Sequence, residues 1–377
     1  HQINTLYLRE DVTSLESNVI LNSYTGGKNI EISSRIYENI NDNSPNTKYS
    51  YVLPSVVFNN YFNKYKQFVN TSNTFSASNS GGDTNRIYQN NSIDTASDLK
   101  TIKTLPGVGN IFKTSIRNIN IYNENVSGAK ENMNSDSYFT LALENTYPLM
   151  RINEKTEQTI APKIFSKYTS SKMKDSSSQN KILSYSDVYS MERMNTLTNP
   201  ETGVSFGYGT EYNIIKKNLE NSIYLDGRLS IGQVLRTNKL KEMPQKSSLQ
   251  EKKSDFVGNG YLNLNNIYAT NRELSNDKFK YYNLNLDYSY IINNNLNKLL
   301  QNNLKATFEN KKNTFTSEYS ESHDIEDYHS INAEYKRKFD NNLNLIVGAT
   351  HNIQESFLER SNVELNYESD CLKVGLI

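Results

Sequence analysis

Residues that could do chemistry come in a few clusters. The densest runs Glu321-Ser322-His323-Asp324-Ile325-Glu326-Asp327-Tyr328-His329, with two histidines and several carboxylates. Metal ligation requires such groups to converge at fixed geometry. Here they fall between a strand around Phe315–Tyr319 and another starting near Ile331, so they read as a solvated surface loop. Gly203, Gly207 and Gly209 form a weak glycine motif. A phosphate-cradling loop needs a strand followed by a helix. The glycines are followed by Thr210-Glu211-Tyr212-Asn213-Ile214, another strand, so they read as sites of tight curvature or close backbone approach. No serine occupies a nucleophile elbow, and no triad of serine or cysteine, histidine and carboxylate can be assembled from the sequence. The expectation is a protein with no catalytic residues, no metal site and no cofactor. Cys371 is the single cysteine and cannot close a disulfide within the chain. Taken alone it reads as a small buried apolar residue.

The elements that position these residues are legible in composition and periodicity. Lys+Arg and Asp+Glu both number 41 in 377 residues, which provides no basic stripe for nucleic acid. Apolar residues make up only 36%, low for a soluble globular enzyme, and no run approaches the ~18 residues of a membrane helix. The 27 tyrosines and 14 phenylalanines argue against disorder. A polar, aromatic-rich chain of this kind suits a wall whose strands meet lipid on one side and water on the other.

Period-2 alternation supports this. Tyr282, Leu284, Leu286, Tyr288 and Tyr290 share one face, and Asn283, Asn285, Asp287 and Ser289 the other. Ile223, Leu225, Leu229 and Ile231 oppose Asp226, Arg228 and Ser230. Phe139, Leu141 and Leu143 oppose Thr140 and Glu144. Ile331, Ala333, Tyr335 and Phe339 oppose Asn332, Glu334, Lys336 and Lys338, and Leu343, Leu345, Val347 and Ala349 form a further stripe. Amphipathic helices are missing; the best candidate, Leu296–Leu304, is interrupted by asparagine clusters that favour a turn. Short connections such as Asp340-Asn341-Asn342 contrast with long polar stretches at Phe75–Lys100, Asn123–Ser137 and Leu240–Ser254. The last of these and Phe75–Lys100 are expected to be extracellular loops. A soluble β-sandwich would also alternate. Strand lengths near nine or ten residues, and polar faces dense in Lys, Glu, Asp and Asn, favour the membrane wall. The fold class expected is all-β, an antiparallel transmembrane β-barrel of the outer-membrane type. It would be partial, with about 15–18 strands at roughly 20 residues per strand and connection. The chain opens HQINTLYLRE without a signal-peptide pattern, so the expectation is a processed protein or a piece of a longer one.

The order of short motifs carries a resemblance. Leu53-Pro54-Ser55-Val56 comes first, then Tyr147-Pro148-Leu149 and Ile160-Ala161-Pro162-Lys163-Ile164. Ser186-Asp187-Val188-Tyr189 leads to Glu192-Arg193-Met194, followed by Gly203-Val204-Ser205-Phe206-Gly207-Tyr208-Gly209. Gly232-Gln233-Val234-Leu235-Arg236, Ser254-Asp255-Phe256-Val257-Gly258 and Tyr367-Glu368-Ser369-Asp370-Cys371-Leu372 complete the series. No single motif is specific, but their order over about residues 50–376 resembles the barrel domain of the LptD family, the lipopolysaccharide-assembly (organic solvent tolerance) proteins of the Gram-negative outer membrane. Two departures stand out. Ser190-Met191-Glu192 replaces the family's usual Gly-Asp before the arginine, and the family continues past the cysteine with closing strands. Residues 1–377 are thus read as one incomplete barrel domain, without the periplasmic N-terminal domain or the closing strands.

The resemblance implies a translocon component of the outer membrane that inserts lipopolysaccharide. The sugar would pass through a polar lumen and the acyl chains through a lateral seam. It also implies an LptE-type lipoprotein plug and periplasmic lipopolysaccharide bridge proteins as partners. It further implies that Cys371, at the start of a strand after a short turn, pairs with a cysteine of the periplasmic domain, outside this chain. A general diffusion porin or receptor barrel is the alternative function, and a secreted β-rich adhesin a third.

Overall fold

The computed structural model describes residues 14–26, 28–39, 49–62, 67–79, 85–98, 107–124, 133–194, 199–217, 223–268, 281–323, 328–339, 343–369 and 372–376. They form nineteen strands of one antiparallel sheet. In chain order these are β1 (Ser14–Thr25), β2 (Lys28–Asn39), β3 (Tyr49–Phe62), β4 (Gln67–Asn79), β5 (Asn85–Asp98), β6 (Gly109–Glu124) and β7 (Met133–Thr146). Next come β8 (Leu149–Asn153), β9 (Thr156–Thr169), β10 (Gly203–Lys217), β11 (Ile223–Arg236), β12 (Phe256–Tyr268) and β13 (Tyr281–Ile292). The last are β14 (Leu299–Glu309), β15 (Asn313–Ser322), β16 (Tyr328–Lys338), β17 (Leu343–Asn352), β18 (Phe357–Ser369) and β19 (Leu372–Leu376). The single α-helix among the described residues, α1, spans only Tyr185–Val188.

Nineteen strands exceed the 15–18 expected, for two reasons. Residues 75–100, expected as a loop, lie largely within β4 and β5, which pair in unbroken register from Gln67↔Ser97 to Asn79↔Asn85. Their Asn- and Ser-rich sequence reads as loop, yet such residues suit a strand when one of its faces is meant to be polar. Proline supplies the other reason. The N–H of Tyr147 bonds the carbonyl of Pro162, and Pro148, with no N–H to continue the ladder, separates β7 from β8. Asn123–Ser137 is likewise not all connection, since β6 extends to Glu124 and β7 begins at Met133. Leu296–Leu304 divides into a turn, closed by Leu296 N–H to the Asn293 carbonyl, and the first half of β14.

The chain resolves into two compact units. One comprises residues 1–144, 166–174 and 194–204, and the other residues 145–165, 175–193 and 205–377. In the first, one face of β6 and β7 is buried. Ile119, Ile121 and Tyr138 pack together there, and Ser115, Arg117 and Thr140 are buried on it too. The opposite face exposes Ile116 and Phe139. In the second unit the register aligns apolar residues across eight strands. Leu225, Leu264, Leu284, Phe308, Phe315, Tyr335, Val347 and Val363 face one another in turn from β11 to β18. Phe308, Phe315, Val347 and Val363 are exposed. The alternating stripes read from the sequence on β11, β13, β16 and β17 are therefore one continuous face.

Candidate functional site: a polar sheet face and its cap

The other face of the second unit is polar, because every step along a strand reverses the side chain. Asp226, Asn263, Asn285, Thr307, Thr316 and Glu334 align across β11 to β16. Asp226, Asn263, Asn285, Thr307 and Thr316 are half-buried and Glu334 is exposed, while Ser230 and Ser330 on the same face are buried.

Two connections fold back onto this polar face instead of standing free. Residues 175–193 carry α1, and residues 237–255 carry a 3-10 turn at Lys246–Ser248. They bond to each other through Ser176 N–H to the Glu242 carbonyl, 2.8 Å, and Leu183 N–H to Ser247 Oγ, 3.0 Å. Leu183, Val188, Met243 and Leu249 are buried between them and the strands. Leu240–Ser254 is thus a connection, as its composition suggests, but a packed one. Its buried Met243 and Leu249 hold it down.

The glycines of the weak motif now have a role. A Cβ on Gly207 would lie 2.1 Å from the Val188 carbonyl oxygen, and one on Gly209 2.6 Å from the Tyr189 hydroxyl. Gly232 faces the Val188 side chain at 3.3 Å. Close backbone approach is the correct reading for Gly207, where α1 approaches, and for Gly209, where the Ile231 carbonyl and Tyr189 do; Gly203 meets nothing within 4 Å and instead takes a φ of +83°.

The Ser186–Met194 stretch supplies the fastening. The Asp187 carboxylate accepts from Ser184 N–H at 2.8 Å and from Lys181 Nζ at 2.9 Å. Arg193, 1% exposed, donates to the carbonyls of Asp187 and Val188 and, at 2.7 Å, to Ser205 Oγ on β10. Ser254, fully buried, accepts from Val234 N–H and donates to the Asp255 carbonyl. Asp255 in turn accepts from Ser248 Oγ and Asn294 N–H. Beneath the cap, Glu211 of β10 accepts from Tyr185 Oη at 3.1 Å, Lys163 Nζ at 3.4 Å and Arg228 Nη2 at 2.5 Å. Burial, with Tyr189 and Glu211 alongside, raises the Tyr185 phenol well above its ordinary pKa, so it stays a donor.

Charge is also buried in the first unit, where the sequence did not announce it. Lys167 Nζ meets Glu201 at 2.8 Å, with side-chain exposures of 0% and 1%. Both are single charged residues in ordinary surroundings, so nothing local marks them as partners.

His323 Nε2 bonds Glu321 at 3.1 Å, Glu321 also accepts from Tyr319, and the Tyr319 ring meets His329 edge-on at 5.2 Å. Residues 324–327 of that cluster lie outside the described residues, and among those described no three His, Cys, Asp or Glu are gathered for a metal. Cys371 also lies outside the described residues. A scan against protein-family models and a search of curated proteins return no match to this chain.

Proposed function

We propose that this chain forms part of the wall of an outer-membrane β-barrel that inserts lipopolysaccharide, as its motif order implies. The observation that carries the proposal is the division of the sheet into an exposed apolar face and a polar face. Hydrocarbon tolerates the first, and water in a lumen suits the second. Lipopolysaccharide has the same division, a polar saccharide and apolar acyl chains. Moving the saccharide through hydrocarbon would leave its hydroxyls unpartnered, which is costly. A polar face gives them partners, while the acyl chains leave through a seam into the bilayer. The cap over Gly207 and Gly232 supports a built path over an open diffusion pore, since it occupies part of the polar face. An LptE-type lipoprotein and periplasmic bridge proteins are the partners this reading calls for.

The test is in-cell photo-crosslinking in the full-length protein. A crosslinker at Asn285 or Asn303 should capture lipopolysaccharide, and one at Leu286 ordinary membrane lipid. Ion conductance by the purified protein, with no lipopolysaccharide adduct from the polar face, favours the diffusion porin and overturns the proposal.

A further inference from the structure

We infer that the polar face of β11–β15 holds a binding site for a short, uncharged or amine-bearing oligosaccharide segment. The inference rests on the reading above only in taking this face to be bathed in water. A concavity of about 430 Å³ lies there, open on one side. Its floor is one row of the sheet, in which Arg228, Tyr261, Asp287, Lys305 and Glu318 face one another across five strands. At about 4.8 Å per strand the row is roughly 19 Å long. The adjoining row adds amides and a hydroxyl from Asn259, Ser289 and Asn303.

The charges in this row determine what it accepts. Arg228 is engaged by Glu211 at 2.5 Å. Lys305 stands directly opposite both Asp287 and Glu318, yet these three make no ion pair with one another. Asp287 and Lys305 are exposed and Glu318 half-buried, so their bonding groups are open to solvent and to a ligand. One free ammonium against two carboxylates leaves the site net negative, which repels phosphate or carboxylate ligands. Sugar hydroxyls both donate and accept, so they match a mixed row of carboxylates, amides and an ammonium. Tyr261 offers a ring for the apolar face of a sugar and a polar tip, which donates to Asp226. The cap leaves this row open, since it rests on Gly207, Gly209 and Gly232 further along β10 and β11.

The experiment is calorimetric titration of the full-length protein in nanodiscs with three probes: maltohexaose, a glucosamine hexamer and phosphorylated maltohexaose. Maltohexaose and the glucosamine hexamer should bind, and the phosphorylated sugar at least about tenfold more weakly. Tyr261→Ala should weaken maltohexaose about tenfold, and Asp287→Asn with Glu318→Gln should narrow the gap to the phosphorylated sugar. Absence of maltohexaose binding, or binding that Tyr261→Ala leaves unchanged, overturns the inference. A Leu286→Trp variant in the same nanodiscs separates the two ideas. Quenching of that tryptophan by brominated lipid, without sugar binding, leaves the membrane reading standing and sinks the site alone. Absence of both sinks the membrane reading as well.

Discussion

Gly207 has no room for a side chain, because the Val188 carbonyl occupies the space a Cβ would need. Gly207→Val should therefore lift residues 175–193 from the strands, at an overpacking cost of about 1–3 kcal/mol. Trypsin cleavage after Lys181 and Arg193, slow in the parent protein, should become fast; unchanged cleavage would show that α1 does not depend on this contact. The Lys167–Glu201 pair makes a second prediction at this scale. Lys167→Met should destabilise by about 3–5 kcal/mol, because it removes the buried cation that faces the Glu201 carboxylate. Adding Glu201→Leu should restore most of that loss in a denaturant titration. Equal stability of the single and double variants would mean the pair is not coupled. That the glycines admit a close neighbour was readable, since a phosphate loop was excluded by the strand that follows. Which neighbour was not readable, because Val188 and Gly207 meet only through the tertiary fold. The buried Lys167 was invisible for the same reason: a lysine on a polar face looks solvated until a segment folds over it.

Strands were the most legible elements. Alternation over 282–290 lies wholly within β13, and its apolar members fall on the shared face of the sheet. Leu286→Arg should cost about 2–4 kcal/mol near a bilayer midplane in a membrane-folding titration, and Asn285→Arg little. Equal tolerance of both would mean that the two faces do not differ in environment. Alternation fails where asparagine and serine stand on both faces, so residues 75–100 read as a loop although they lie largely within β4 and β5. The chain's abundant Asn weakens composition as a signal for turns. Register, not composition, settles those strands, and register depends on partners distant in sequence. Pro148 had the opposite effect: a local residue split what periodicity alone would have run together.

At the scale of the whole molecule, one antiparallel sheet presents an apolar face that the proposed function sets against lipid. The motif order added structural sense: Arg193, Gly232 and Ser254 each serve the cap or the strand it grips. The resemblance also places Cys371 in a disulfide to a separate periplasmic domain. The full-length protein from cells should then change mobility on reduction in a non-reducing gel, and Cys371→Ser should abolish the change. A freely alkylated thiol in the parent protein contradicts that link. The most direct measurement of the central claim exploits a gap in composition, since the chain contains no tryptophan. Single tryptophans at 284, 285, 286, 333 and 334 would report without background in bilayers containing brominated lipid. Strong quenching at 284, 286 and 333, with weak quenching at 285 and 334, is the predicted result. Uniform quenching, or none at any position, would contradict a membrane-facing sheet.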